Sequence, residues 1–256
     1  MNELSFAQAS HPVKSVPVPC EPTDDTLLTR FNAHFEMQTA DTPERIKMAH
    51  RIRHQVYCVE NLHEKSEKPD GVETDDFDLH AVHSLLIYRA AQTALGTVRL
   101  ILPLPNDLHR SFAVQRVMNE SARRELDKLP LHSTAEVSRF SISRQFRRIA
   151  NDSGEPEESA FVSNSGPLMR LGLIQAVIRM STEAGITHCC ALMEPTLLRM
   201  LAAMGIRFRP IGPLVEFRGL RQPCCCRISD VLSTVRQQRP AFWSVLTDGG
   251  ALASAF

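Results

Sequence analysis

The sequence of 256 residues lacks long apolar runs. No stretch approaches the roughly 18 consecutive apolar residues that identify a membrane-spanning helix. The first residues, MNELSFAQASHPVKSVPVPC, also lack the positively charged start and the apolar segment of a secretory signal. These absences predict a cytoplasmic protein with no transmembrane segment, for which any membrane contact is peripheral.

The chain also has no excess of either charge. Lysine plus arginine number 29, aspartate plus glutamate number 29, and the formal net charge is zero. No basic stripe interleaved with aromatic residues occurs, so the sequence predicts no nucleic-acid partner. The 43% apolar and 23% charged fractions are those of an ordinary globular protein, and the length allows a sizeable core.

The seven cysteines form no metal-binding or disulfide pattern. Their number is odd, several are neighbours in the chain, and the spacing C-x-x-C does not occur, which predicts neither a zinc site nor a disulfide framework. We expect Cys189 and Cys190, in the run THCCALM, to be buried as small apolar residues. For the triplet Cys224, Cys225 and Cys226, the same interpretation competes with a reactive or redox-sensitive thiol.

Hydrophobic patterns predict one α/β domain of the α+β type, with a mostly antiparallel central sheet and helices on both faces. Residues 1–25 are predicted to form a flexible leader, residues 26–240 the domain and residues 241–256 a C-terminal tail. Apolar alternation predicts strands at about 30–40, 83–90, 95–104, 135–143 and 186–193, with a last pair within 206–221. Helical periodicity and end signals predict helices at about 42–58, 113–128, 167–185, 194–205 and 228–238.

The segment GVETDDFDLHAVH, residues 71–83, concentrates acidic side chains. Four acids fall within six residues and two histidines follow them: Glu73, Asp75, Asp76, Asp78, His80 and His83. A solvated loop, a metal site and one wall of an enzyme site are the three interpretations. The spacing fits no standard zinc or calcium loop, so we predict no metal. Two interpretations remain, a solvated loop and one wall of an enzyme site. The groups that face these acids decide between them.

Arginine is the candidate partner for these acids. Arg99 lies in the apolar strand sequence GTVRLIL, and a buried arginine needs a carboxylate. Arg53 precedes the acidic segment on a predicted helix, and Arg139 lies in another predicted strand, EVSRF. Arginines and acids on neighbouring elements would form an ion-pair network around a cleft, and such networks orient polar substrates. The candidate carboxylates are Glu73, Asp75, Asp78 and Glu136.

Four short motifs, in this order, resemble those of the autoinducer synthases, which make acyl-homoserine lactones. They are R-x-x-V-Y at 53–57, E-x-D-x-x-D at 73–78, G-x-x-R-L at 96–100 and E-x-S-R-F at 136–140. Longer segments look more like the acyltransferases associated with the PEP-CTERM/exosortase system, which are related to the N-acyl amino acid synthases. They are RHQVYCVEN, DLHAVHSLLIYR, GTVRLILP, AEVSRFSIS, MEPTLLRML and IGPLVEFRGLRQPC. The likeness covers residues 28–235, nearly the whole chain.

The resemblance implies a fold of the Gcn5-related N-acetyltransferase (GNAT) type. It also implies transfer of a fatty acyl group to the amine of an amino acid or similar small molecule. The donor would be a thioester of acyl carrier protein or coenzyme A, acting as co-substrate, with no tightly bound cofactor. Gly166 and Gly172 are only a degenerate echo of the superfamily's glycine-rich pyrophosphate loop, which favours acyl carrier protein as the partner.

Two alternative functions stay open. One is an acyl-homoserine-lactone synthase that uses S-adenosylmethionine. The link between the arginine helix and the acidic motif is longer here than in those synthases, and the single tryptophan is Trp243, outside the link. This departure argues against S-adenosylmethionine. The other alternative is a non-catalytic acyl-binding module, although such a module need not retain the acidic and arginine set.

Direct attack by an amine on a thioester requires a proton acceptor and a polarised carbonyl, but no serine elbow of the form G-x-S-x-G. Our hypothesis gives the first role to Glu73, directly or through water, with Asp75 and Glu136 as alternatives, and we expect Glu73→Gln to abolish transfer without unfolding the chain. Backbone N–H groups at Ser141 to Ser143 would polarise the carbonyl. The other candidate site residues would bind substrate: Arg53, Asp78, Arg99, Arg139, Ser141 and Ser143.

One helix face offers a place for the acyl chain. Leu171, Leu173, Ile174 and Val177 are apolar positions of the helix predicted at 167–185. Their first interpretation is helix core. The alternative is that part of this face lines an acyl-chain tunnel.

Overall fold

The structure, a computed structural model, describes residues 24–61, 70–145 and 164–256. Nearly all of the predicted leader lies outside these ranges. The described helices are α1 (Asp24–His34), α2 (Pro43–His54), α3 (Val114–Val117), α4 (Glu120–Leu126), α5 (Gly166–Glu183), α6 (Pro195–Ala203), α7 (Ile228–Gln238) and α8 (Pro240–Leu246). Within these ranges, no helix is long and apolar enough to cross a membrane.

Eight strands form the central sheet: β1 (Phe35–Thr39), β2 (Ala81–Tyr88), β3 (Thr93–Ile101), β4 (Thr134–Ile142), β5 (His188–Met193), β6 (Arg209–Pro210), β7 (Val215–Glu216) and β8 (Leu220–Arg227). The strand order is β1-β2-β3-β4-β5-β8-β6, and β7 pairs with β8. The pair of β4 and β5 is parallel, and the other pairs are antiparallel. The predicted class, a mostly antiparallel sheet flanked by helices, is confirmed.

Helix α5 supplies the main core on one face of the sheet. It is buried along most of its length and packs against strands β1 to β4. A Cβ atom added at Gly172 would lie 2.7 Å from Cε2 of Phe31, so this glycine permits close packing against α1. Gly172 is therefore explained by packing within the core, without a role in a phosphate-binding loop.

The predicted first strand at about 30–40 is wrong over its first half. Helix α1 runs to His34, and β1 begins only at Phe35. Leu27 and Phe31 are four residues apart, so a helix places both on the face that enters the core. The alternation of residues 30–40 was compatible with a strand, and burial of this helical stripe decides against it.

The last predicted strands are also displaced. Strands β6 and β7 have two residues each, since Pro210 and Pro213 interrupt the run. The long strand is β8, which contains the cysteine triplet. Helix α8 lies in the predicted C-terminal tail, and its Val245 and Leu246 are fully buried in the main core. The compact unit thus extends past residue 240.

A gap opens in the middle of the sheet. Strands β4 and β5 pair at three registers, from Thr134–His188 to Glu136–Cys190. Both strands continue beyond this point, to Ile142 and Met193, with no further pairing between them. On its other side β4 carries a bulge opposite β3. The parallel strands therefore diverge, and their facing edges border a cleft.

Candidate active site

The acidic segment folds inward through its own hydrogen bonds. Asp75 caps a short 3-10 helix, Asp76–His80, by accepting a hydrogen bond from the Phe77 amide. The Asp78 carboxylate accepts a hydrogen bond of 2.8 Å from the Asp75 amide in return. This reciprocal capping box holds both carboxylates toward the sheet, with Asp78 largely buried and Asp75 28% exposed.

Arginines from three elements meet these carboxylates, as the sequence predicted. Arg53 of α2 donates to Glu73 and, through both terminal nitrogens, to Asp78 at 2.7 and 3.1 Å. Arg99 of β3 binds Asp75 through two nitrogens at 2.6 and 3.1 Å, and also Asp78 at 2.6 Å. Arg53 and Arg99 are almost completely buried, with exposures of 0% and 1%. The network therefore neutralises two interior cations.

Arg139 of β4 closes the network. Its Nη2 donates to Glu73 Oε1 at 2.8 Å and to Asp75 Oδ2 at 2.9 Å. Arg139 has a positive φ of 52°, which is unusual for any residue other than glycine. Its guanidinium also lies 5.3 Å from the centre of the Tyr57 ring. Glu73, Asp75 and the Tyr57 ring thus hold Arg139, which lies in the β4 bulge.

These ion pairs fix the charge states of the acids. Burial opposes ionisation of Glu73, but hydrogen bonds and charge from Arg139 and Arg53 outweigh it and lower its pKa to about 2. Burial acts in the same way on Asp78, and Arg53 and Arg99 still hold its pKa well below the usual range. Both groups are carboxylates at neutral pH, and neither accepts a proton readily.

Glu136 is in a different state. It is 3% exposed, and its Oε2 accepts a hydrogen bond of 2.8 Å from the Val114 amide. Burial raises the pKa of Glu136 to about 7, although the Val114 amide and the charges of Arg99 and Arg139 work in the opposite direction. Among the candidate acids in the described part of the chain, this one has a pKa suited to proton transfer at neutral pH.

Two histidines lie beside the network without joining it. The rings of His50 and His83 meet edge-on, with centres 5.4 Å apart, and their Nε2 atoms lie 3.9 and 3.7 Å from Asp78 oxygens. Burial, and then the Arg53 charge, lower the pKa of both rings, to about 3 for His83. Both imidazoles are therefore neutral at pH 7.

His50, Asp78 and His83 have the spacing of metal ligands within the described residues. Asp78, however, already accepts four hydrogen bonds, from Arg53 twice, from Arg99 and from the Asp75 amide. A carboxylate has about four lone-pair positions, so no lone pair remains for a cation. Two arginines at the same carboxylate also repel a metal ion. The donor set argues against a metal here.

The gap between β4 and β5 opens into an apolar pocket of about 460 Å³. Its walls come from β4, β5, α5, α6 and α7. Ile174 and Val177 line it, whereas Leu171 and Leu173 belong to the core away from the pocket. Of the four positions predicted as helix core or tunnel wall, two thus line the pocket and two pack in the core.

A second, polar pocket of about 320 Å³ lies next to the apolar one. Asp75, Arg99 and Glu136 line it, together with several residues outside the sequence motifs. The two pockets share a set of lining residues at the divergence of the strands: Tyr57, Val137, Ser138, Arg139, Leu192 and Arg221. The bulged segment of β4 therefore stands between an apolar and a charged chamber.

The predicted serines have defined partners. Ser141 Oγ donates to the Arg139 carbonyl at 3.1 Å, and Ser143 Oγ donates to Glu60 at 2.8 Å. The Ser143 amide donates to the Leu95 carbonyl of β3. Because peptide groups alternate in direction along a strand, the Ile142 amide between them faces the gap. Of the segment Ser141 to Ser143, Ile142 offers the N–H on that side.

Tyr57 was part of a sequence motif, but its role was not foreseen. It lies in a π-helical turn, Gln55–Glu60, that follows α2, and it lines both pockets. Such turns are rare and frequent at functional sites. Arg116, in the polar pocket, was missed because it lies in a short amphipathic stretch with no motif.

Comparison with known proteins places the fold. Residues 52–153 match the model of the acetyltransferase (GNAT) domain. No curated protein sequence matches the chain. TofI, solved in a ternary complex with an inhibitor and MTA, has a TM-score of 0.54 and 17% identity, covering 82% of this chain and 99% of its own.

Two further solved structures are similar. BjaI, a CoA-dependent acyl-homoserine lactone synthase solved with MTA, has a TM-score of 0.51 and 20% identity, covering 87% of this chain and 98% of its own. FeeM, an N-acyl amino acid synthase from uncultured soil microbes, has a TM-score of 0.52 and 16% identity, with coverages of 80% and 96%. The fold is thus GNAT-like, as the motifs implied, and the domain match supports an acyltransferase of this type.

Proposed function

We propose that this chain is an N-acyltransferase that moves a fatty acyl group from a thioester to the amine of an amino acid or similar small molecule. The observation that carries the proposal is the pair of adjacent pockets that share lining residues where β4 and β5 diverge. One pocket is apolar and suits an acyl chain, and the other is charged and suits a polar acceptor. A thioester at the junction would have its acceptor beside it.

The apolar pocket gives the donor its binding energy. Each methylene transferred from water to such a pocket contributes about 0.8 kcal/mol. The Ile142 amide, which faces the gap, would donate a hydrogen bond to the carbonyl region of the donor. The donor is a thioester of acyl carrier protein or coenzyme A, both of which fit the predicted cytoplasmic location. The degenerate form of the glycine-rich loop favours the carrier protein.

The reaction is direct acyl transfer. The neutral amine nitrogen attacks the thioester carbonyl carbon, a C–N bond forms, and the C–S bond breaks to release the carrier thiolate. Glu136 accepts the proton that the amine loses, because its pKa of about 7 lets it exist as a base at neutral pH. The thiolate then takes a proton and leaves as a thiol.

This assignment reverses the order of preference reached from the motifs. Glu73, with a pKa of about 2 and two arginine partners, holds Arg53 and Arg139 in place. Asp75 pairs with Arg99 and Arg139 and forms part of the polar wall. In the proposed mechanism, the ion pairs among the motif residues hold the wall of the polar pocket in place. These residues are Arg53, Glu73, Asp75, Asp78, Arg99 and Arg139.

The fold likeness to BjaI, a CoA-dependent acyl-homoserine lactone synthase also solved with S-adenosylmethionine and isopentyl-CoA, favours lactone synthesis as a second candidate. The two candidates differ in product, because a homoserine lactone and an open-chain N-acyl amino acid have different masses. The resemblance to exosortase-associated acyltransferases supports the first candidate. We retain the prediction that, among N-acyltransferases, this chain is most similar to that group.

Lipid extracts of cells that overproduce the chain test the proposal by mass spectrometry. New N-acyl amino acids that vanish with Glu136→Gln would support it, whereas acyl-homoserine lactones would favour the second candidate. Purified protein with defined acyl-carrier and coenzyme A thioesters then compares the two donors through thiol release. Stoichiometric acyl binding without thiol release would indicate a non-catalytic acyl-binding module instead.

A further inference from the structure

The polar pocket carries an excess of positive charge. Five arginines line it but only two acids: Arg99, Arg116, Arg139, Arg218 and Arg221 against Asp75 and Glu136. Clefts lined by one sign of charge concentrate ligands of the opposite sign. The excess in this chamber therefore points to an anionic group on the molecule that enters it.

Three of the five arginines are committed to the protein. Arg99 and Arg139 are held by the acidic network. Arg221 pairs with Glu194 at 2.7 Å, and its Nη2 donates to the Arg218 carbonyl at 2.9 Å. A ligand anion would have to compete with these contacts.

Arg116 differs from those three. It lies on α3, and its guanidinium carbon is 4.2 Å from the centre of the Phe77 ring. Across the described ranges 24–61, 70–145 and 164–256, its guanidinium nitrogens make no hydrogen bond or ion pair. The aromatic contact orients the guanidinium plane, and the planar fork can bind a carboxylate through two nitrogens.

Arg116 lies on the same helical turn as the residue that binds the proposed base, Glu136. Val114, two residues earlier on the same helical turn, donates its amide hydrogen to Glu136. One short turn therefore fixes Glu136 and carries Arg116 at the wall of the same chamber. An acceptor with both an amine and an anionic group could present the amine to Glu136 and the anion to Arg116.

We propose that Arg116, supported by Phe77, binds the carboxylate of the acceptor and so selects amines that carry a carboxylate over simple amines. This inference rests on the proposed acyl transfer, whose acceptor class it specifies. The motif arginines, Arg53, Arg99 and Arg139, contribute to the field of the pocket but not to this contact, since their partners are acids of the chain.

Kinetics of the purified full-length chain give the first test. An octanoyl thioester is the donor, and acceptors are compared in pairs: leucine with isoamylamine, phenylalanine with phenethylamine, and tyrosine with tyramine. With Arg116→Gln, we expect KM for the carboxylated member to rise about 10- to 100-fold with kcat nearly unchanged. KM for the simple amine should stay the same. Arg123→Gln, an exposed arginine of the neighbouring helix α4, is the matched control.

Binding gives a test that does not depend on turnover. N-octanoylglycine and N-octanoylethanolamine differ in the carboxylate, and calorimetry measures the dissociation constant of each. We expect tighter binding of the glycine compound to the wild type, and loss of that preference in Arg116→Gln but not in Arg123→Gln. Equal affinity of both compounds for the wild type, or equal behaviour of the two variants, would overturn the carboxylate site.

The two proposals fail in different ways. If the glycine compound binds through Arg116 but no amine releases thiol from the donor, acyl transfer is refuted and the carboxylate site stands. If transfer occurs and wild type and Arg116→Gln discriminate equally between leucine and isoamylamine, the carboxylate site is refuted and acyl transfer stands.

Discussion

Replacing Glu136 by glutamine should separate catalysis from stability. Glutamine has nearly the same shape, and its oxygen can still accept the hydrogen bond from the Val114 amide. What the substitution removes is a titratable carboxylate in an environment that raises its pKa from the ordinary 4.5 to about 7. We expect the variant to be inactive in transfer and, at alkaline pH, more stable than the wild type.

The size of this stability difference follows from the difference between the pKa values of Glu136 in the folded and unfolded chain. Each pKa unit corresponds to about 1.4 kcal/mol, so raising the value from 4.5 to about 7 costs about 3 kcal/mol once the group is ionised in the folded chain. The unfolded chain releases this proton near pH 4.5, and the folded chain holds it until about pH 7. The cost is therefore absent below pH 4.5, grows between the two values and is complete above pH 7.

Urea unfolding of the wild type and Glu136→Gln at pH 5 and pH 8 measures this effect. At pH 8 the variant should be more stable by about 3 kcal/mol, or about 6 to 12 °C in Tm for a chain of this size. At pH 5 the difference should fall to about 1 kcal/mol or less. An equal stability difference at both pH values would refute the view that Glu136 titrates within the folded protein.

Activity gives the second half of the test. If Glu136 is the proton acceptor, wild-type kcat should fall about tenfold per pH unit below pH 7. Glu136→Gln should lower kcat by about 10²- to 10⁴-fold and remove the inflection near pH 7. A variant with wild-type kcat and an unchanged pH profile would exclude Glu136 as the base.

Three other perturbations have definite expected results. Glu73→Gln should lower the unfolding free energy, measured in urea, by about 3 to 5 kcal/mol because it breaks a buried ion pair with Arg53. Val231→Phe narrows the apolar pocket and should shift the preferred acyl chain to shorter lengths, with about fourfold lower kcat/KM for each methylene that no longer fits. Cys190, whose thiol pKa is raised well above its usual value by burial, should react with a thiol reagent only after unfolding.

Each of these has a control or a contradictory outcome. Asp41→Asn, which breaks an exposed pair with Arg45, should cost less than about 1 kcal/mol, so an equal loss for Glu73→Gln would mean that the buried network stabilises little. An unchanged chain-length profile for Val231→Phe would place the acyl chain elsewhere. Modification of Cys190 in the native state would contradict its prediction as a buried, small apolar residue.

The sequence alone was sufficient to predict the elements whose local hydrophobic pattern agrees with their burial in the fold. The hairpin of β2 and β3, helix α5 and strand β5 all have long apolar patterns with clear ends, and their positions agree with the prediction within a few residues. The partners of Arg99 were predictable because an arginine within an apolar strand requires buried carboxylates. Residue types and order therefore predicted three of the four candidate carboxylates correctly, but Glu136 makes no ion pair with these arginines.

The remaining features depend on tertiary contacts. The triplet Cys224, Cys225 and Cys226 has weak local signals, and it becomes a strand because its neighbours Cys189 and Cys190 pair with it. Alternation then sends Cys224 to the main core and Cys225 to the core on the opposite face. No local pattern reveals which acid keeps its proton, since burial raises the pKa of Glu136, whereas two arginine partners lower that of Glu73.

The concentration of carboxylates in a chain with no net charge has its explanation at Arg139. A left-handed conformation costs a residue other than glycine about 1 to 3 kcal/mol, so this conformation persists only where the surroundings enforce it. Glu73 and Asp75 bind the Arg139 side chain, and Ser141 binds its carbonyl. These contacts hold the β4 bulge beside the junction of the two pockets. We therefore expect Glu73 to be needed for the proposed transfer without accepting a proton, because losing it would release the segment that borders both pockets.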